Sequence, residues 1–261
     1  MAKAASWVSS APGGQGHRCW NKSFERATRF RRAAAIALSI LCFLGAETKA
    51  EPGGSAPSRG AGSAAQNLAP SDRSYLNISP IFSELVLFSA PGGFGVVFEK
   101  TENTGTFYIR EMVPKGESAE RWSQMITVTG AQGLAANPGV TAQSFLERMA
   151  DGFKQACPTT FSAKPLGEKR ISGHEAFVLL AGCGALQAQG AAHSEAALLI
   201  GVKGAQDYYT IQWAERGAAS NEPLDLSGAK WQERLAKLEP IKFCLRKAGE
   251  APPYPSCIAQ K

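Results

Sequence analysis

The chain has 261 residues, 44% of them hydrophobic, and a formal net charge of +6. That excess lies in residues 1–50, which hold eight Lys and Arg against two Glu, so residues 51–261 are formally neutral. The neutral remainder argues against a nucleic-acid-binding role, and the apolar content against a chain too polar to bury a core.

The first predicted element is an export signal. Arg31-Arg32 precede a nearly continuous apolar run from Ala33 to Ala46, and the small residue Ala50 follows. A basic start, a short apolar run and a small residue at the end form a signal peptide. The run is shorter than the roughly 20 apolar residues a membrane span needs. Cleavage is expected after Ala50, which makes the protein periplasmic or secreted. A mitochondrial transit peptide is the rival reading of this leader. A third reading keeps it uncleaved as a membrane anchor, and only then would the protein touch a membrane. Cys42 lacks the small preceding residue of a lipoprotein site.

Residues 51–75 read as a tether rich in Gly, Ser, Ala and Pro, a composition that cannot build a core. Residues 76–261 read as one domain. Phe94 to Glu99 and Phe107 to Val113 are strands of a hairpin around the turn residues Asn103-Thr104-Gly105. Ser118 to Gln124 reads as a helical turn, and Ile126 to Thr129 as a strand. Thr141 caps a helix whose apolar face is Leu146, Met149, Ala150, Phe153 and Cys157, and Pro158 ends it. Three strands follow, His174 to Ala181, Ala196 to Val202 and Tyr208 to Ala214, the last two joined by the turn Gly204 to Asp207. Ser227 is expected to cap a second helix with the stripe Trp231, Leu235 and Leu238, ended by Pro240. The order predicts an α+β fold: one antiparallel sheet of about five to six strands with two main helices packed against it.

Four cysteines follow the leader: Cys157, Cys183, Cys244 and Cys257. In an oxidising compartment they predict two disulfides, and the favoured pairing of the three arrangements is Cys157–Cys183 with Cys244–Cys257. The second would close the Pro-rich tail around Ala251 to Pro255. No Cys-x-x-Cys is present, and zinc-ligand spacing is not met.

Chemistry-bearing motifs are sparse. His174 and His193 are the only histidines after the leader, and Gly173-His-Glu-Ala-Phe177 lacks the second histidine of a zinc-protease helix. Pro91-Gly-Gly-Phe-Gly95 fits a turn, not a phosphate loop. Glu99, Glu102, Glu111, Glu117 and Glu120 alternate with Lys100, Arg110, Lys115 and Arg121, as a solvated mixed-charge face does. Asn77-Ile-Ser79 matches the glycosylation pattern. The segment 107–125 gathers Arg110, Glu111, Arg121 and Trp122, residue types common at binding hot spots, and is the candidate binding surface. No catalytic residue, metal ligand or cofactor is expected.

The order of elements over 85–245 loosely resembles the PsbP-like class of small exported α/β proteins, which includes the periplasmic DcrB-like proteins. That resemblance implies a non-enzymatic accessory role. The expected function is an exported, non-catalytic binding or accessory protein of the cell envelope, with another envelope protein as its partner and no nucleic acid. The alternatives are a tethered envelope protein that retains its leader and a hydrolase with an unrecognised site. The sequence leaves the oligomeric state open.

Overall fold

A computed structural model describes residues 73–101, 105–186 and 192–259, all within the compact unit Ala64–Lys261. The leader, the tether up to residue 72, Glu102 and the turn positions Asn103 and Thr104 lie outside the described residues.

The fold is mostly β, which corrects the expected single sheet of five to six strands. Ten strands form two antiparallel sheets: β1 (Ser74–Ile81), β2 (Glu84–Pro91), β3 (Phe94–Thr101), β4 (Phe107–Pro114), β5 (Gln124–Ala131), β6 (Phe161–Ile171), β7 (His174–Leu186), β8 (His193–Lys203), β9 (Tyr208–Ala218) and β10 (Lys242–Leu245). The small sheet has the order β1-β2-β10, and the large one β3-β4-β5-β9-β8-β7-β6. Strands β1, β2, β6 and β10 were not expected. Ser74 and Tyr75, read as tether, already pair with Pro91 and Ala90. Strand β2, Glu-Leu-Val-Leu-Phe-Ser-Ala-Pro, is buried along nearly its whole length because both its faces are covered, so it shows no alternation of apolar and polar residues. Strand β6 carries Lys, Pro, Gly and Glu and is an edge strand with a register shift between Pro165 and Gly167, where those residues are tolerated. Residues 118–124 are not helical.

The main core lies between the two sheets. Val86 and Phe88 of β2 meet Ile126 and Val128 of β5, Leu198 and Ile200 of β8, and Ile211 and Trp213 of β9. Leu85 and Leu87 point the other way, as strand alternation requires, and pack with Cys244, Cys257, Ile78 and Tyr254 on the outer face of the small sheet. The Cys244–Cys257 disulfide therefore fastens the C-terminal tail, with its single helical turn Pro255–Ile258, over that face.

Helix α1 (Ala142–Ala156) starts at Thr141, whose side chain accepts from the Ser144 amide while the Ser144 side chain reaches back to the Thr141 amide. Glu175 of β7 accepts from the Ala142 amide at 2.7 Å. An acidic group at a helix start also complements the helix dipole. Phe145, Leu146, Met149 and Ala150 are buried against β6, β7 and β8. The fit is close: a Cβ on Gly201 of β8 would stand 2.7 Å from Cγ of Leu146. The Cys157–Cys183 disulfide ties the end of α1 to β7. Helix α2 (Lys230–Leu238) buries Trp231, Leu235 and Leu238 against β2 and β8. It begins later than expected. Ser227 bonds to the Asp225 carboxylate instead, and Ala229 occupies the N-cap with no side-chain hydrogen bond.

Candidate functional site

Strand β3 is one edge of the large sheet, β6 being the other, and a side chain of β1 in the small sheet reaches it. Tyr75 donates its hydroxyl to the Phe94 carbonyl at 3.1 Å. Register between β3 and β4 shifts between Val96, opposite Met112, and Phe98, opposite Glu111, which leaves Val97 as the extra residue. A bulge of this kind adds local twist and disturbs an edge that would otherwise pair with any extended chain. Of the seven large apolar residues that are exposed among the described ones, five lie on these two strands: Tyr75, Leu76, Val96, Val97 and Phe98, at 38–48%.

A polar cluster links the same strands. Arg110 of β4 donates from Nη1 to Ser79 Oγ at 2.6 Å and to Asn77 Oδ1 at 3.5 Å, and from Nη2 to Glu99 Oε2 at 3.1 Å. Tyr108 donates to Glu99 Oε1 at 2.6 Å. Partial burial alone would raise the Glu99 carboxyl, but the Tyr108 hydroxyl and Arg110 outweigh it and hold the group below the ordinary Glu range. Burial raises Tyr108, and its bond to the Glu99 carboxylate pushes it further up. The buried Nε of Arg110 has no acceptor among the described residues. Asn77 and Ser79 of the glycosylation pattern are engaged here, with Ser79 buried, so the pattern does not stand on an open loop.

The four residues of the candidate surface do not share one face. Arg110 and Glu111 are neighbours on a strand and point to opposite sides of the sheet. Arg110 meets β1, whereas Glu111 is buried on the other side. Arg121 is exposed on the loop between β4 and β5. Trp122 is 7% exposed, with the Arg216 guanidinium 3.7 Å above its ring. Arg216 also bonds the Glu120 carbonyl and approaches Glu195 at 3.4 Å. This arrangement packs the loop onto β9. A cation over a desolvated indole contributes about 2 kcal/mol.

The histidines occupy separate environments. His174 opens β7 with Nε2 3.6 Å from Glu84, and His193 opens β8 with Nε2 3.9 Å from Glu195. Neither hydrogen-bonds a serine, threonine or cysteine side chain among the described residues, so no nucleophile–base pair is assembled there. No three His, Cys, Asp or Glu side chains gather as a metal site among the described residues. A depression of about 360 Å³ lies at the start of α1, lined by Thr141, Gln143, Glu168, Arg170 and Glu175. Its helix amides are already served by Thr141 and Glu175.

No family model matches the sequence, and no curated protein matches it. Solved structures with a partial likeness to this chain include two of low score. The solution structure of cyanobacterial PsbP (CyanoP) from Synechocystis sp. PCC 6803 has a TM-score of 0.40 and 11% identity, over 71% of this chain and 99% of that one. A crystal structure from Bacteroides thetaiotaomicron VPI-5482 has a TM-score of 0.34 and 14% identity, over 67% of this chain. The match spans about half of that second chain, 49%. With TM-scores below 0.5, neither assigns a family or a site to this chain.

Proposed function

We propose that this is an exported accessory protein of the cell envelope that works by binding another envelope protein, with the β1–β3 edge as its contact surface. The observation that carries the reading is the concentration of exposed apolar side chains on those two strands. Isolated exposed apolar residues are ordinary, whereas five on two strands tied to each other by side-chain bonds mark an edge suited to an interaction surface. Arg110 and Glu99, bonded to Ser79 and Tyr108, supply those ties. Arg121, exposed on the neighbouring loop, is a further contact candidate. Two disulfides suit an oxidising compartment, which favours export.

Replacing Val97 and Phe98 together by Lys tests the surface. The double variant should fold normally and lose the partner that co-purifies with the native protein from a crosslinked envelope fraction. Full recovery of the partner would exclude this edge. The export half of the proposal has its own test. N-terminal sequencing of the processed protein should begin near Glu51, and a cytoplasmic protein beginning at Met1 would refute it.

A further inference from the structure

Turns of the two sheets are joined by a knot of polar groups in which Glu84 and Asp207 are buried. Ser83 lies in the turn between β1 and β2, and Asp207 in the turn between β8 and β9. Asp207 Oδ2 accepts from Ser83 Oγ at 2.7 Å, from the Ser83 amide at 3.4 Å and from the Tyr209 hydroxyl at 3.1 Å. Its Oδ1 accepts from the Gly133 amide at 2.7 Å. Glu84, the next residue after Ser83, is fully buried beside it.

The two carboxyls are served very differently. Asp207 has short donors on both oxygens, a set that suits a carboxylate. Glu84 Oε1 has only the Ala205 amide at 3.4 Å and His174 Nε2 at 3.6 Å, and Oε2 has no hydrogen-bond partner among the described residues. The Tyr209 hydroxyl is the remaining neighbour of Glu84, and its one hydrogen is directed to Asp207 and the Ile81 carbonyl. A hydroxyl used in that way can still accept. The pocket is also tight: a Cβ on Gly204 would stand 2.8 Å from the Tyr209 ring and would overlap the Glu84 carboxyl. A buried carboxylate needs several good donors, and a neutral acid needs one acceptor. Lys203, next to Gly204 in the chain, donates to the Val140 carbonyl, and Arg246 donates to the Phe82 carbonyl.

We propose that Glu84 is a proton-operated clasp between the sheets: it is closed when Glu84 carries a proton, and it loosens the Ser83 turn from Asp207 when that proton leaves. Burial raises the Glu84 carboxyl above the ordinary Glu range, with Asp207 adding to the rise and His174 and the Ala205 amide opposing it; Tyr209 would oppose it only by turning its hydrogen from Asp207 to Glu84. The sign follows from linkage. The closed form holds the proton at pH values where the open form has lost it, so closure weakens as pH rises from about 4.5 to the raised value. One proton per opening makes the opening equilibrium rise in that window by at most about tenfold per pH unit.

Amide hydrogen exchange at Ser83, Gly133 and Ala205, corrected for its intrinsic pH dependence, reads the clasp directly. Protection should fall as pH rises above about 4.5, by at most about tenfold per pH unit, and then level off. In Glu84→Gln the fall should vanish. In His174→Gln it should persist and extend to higher pH, because a neighbour that favours the ionised Glu84 is gone. A flat profile in the native protein overturns the proposal. So does a slope that survives in Glu84→Gln and disappears in His174→Gln, which would make the histidine the sensor. Should Glu84→Gln not fold, infrared spectroscopy of the native protein decides. A protonated buried carboxyl band persisting well above pH 4.5 is the expected result, and absence of that band would refute the clasp.

Discussion

Truncating Trp231 to Ala tests the docking of helix α2. Trp231 is 1% exposed and sits in the main core with Leu226, Leu235 and Leu238. Phe or Trp to Ala in such a site costs about 3–5 kcal/mol, combining lost transfer free energy with the cavity left behind. Lys230 and Arg234 each lie 4.9 Å from the ring, so their contact with its face is lost as well. One term reduces the net loss: the buried Nε1 has no acceptor among the described residues, and removing an unpaired donor relieves its desolvation. Trp231→Phe removes that N–H and retains a ring, so it should cost only about 1–2 kcal/mol. Urea titration with m checked for constancy measures both variants. For a domain of this size the Ala variant should melt lower by about 6–20 °C. A loss below about 1 kcal/mol for Trp231→Ala would refute the packing of α2 described above.

Other consequences are equally direct. The disulfides close loops with sequence separations of 26 and 13. Their removal by Cys→Ser pairs should cost about 3.5 kcal/mol for Cys157–Cys183 and about 3 kcal/mol for Cys244–Cys257 by chain entropy. Thiol labelling of the native protein should find none of these four cysteines free, and labelling of two or more would contradict the pairing. Partial burial alone would raise the Glu215 carboxyl, but Lys230 and Arg234 outweigh it and lower the group below the ordinary Glu range. The stability this adds is present above about pH 4.5 and is lost as pH falls through the lowered value. Glu215→Gln should therefore unfold in acid with a shallower pH dependence, and an unchanged acid limb would refute the pairing. His174→Ala and His193→Ala should each leave partner binding intact, and loss of function in a folded variant would point to catalysis.

What was legible in the sequence followed from strong local signals. The Thr141 cap, the Leu146, Met149 and Ala150 part of the expected apolar face and the stripe Trp231–Leu235–Leu238 gave both main helices, and alternation at Phe94–Phe98 and Tyr208–Ala214 gave strands. Strand β2 stayed hidden because it is covered on both faces, and β6 because an edge strand tolerates Pro165 and Gly167. Missing those strands merged two sheets into one. Arg110 and Trp122 were recognisable as residue types, but sequence proximity does not reveal which face of a strand a side chain takes. Val96, Val97 and Phe98 read as part of a hairpin strand, and only the sheet order makes β3 an edge. Nothing local linked Glu84 to Asp207, more than a hundred residues apart in the chain.

Site-specific photocrosslinking in the native envelope tests the central proposal most directly. A photoreactive residue at Val97, on the β3 edge, should capture one discrete protein partner, and the same probe at Glu147, exposed on α1, should capture none. Equal capture from both positions, or none from Val97 in a folded and processed protein, would contradict the assignment of the β1–β3 edge as the contact surface.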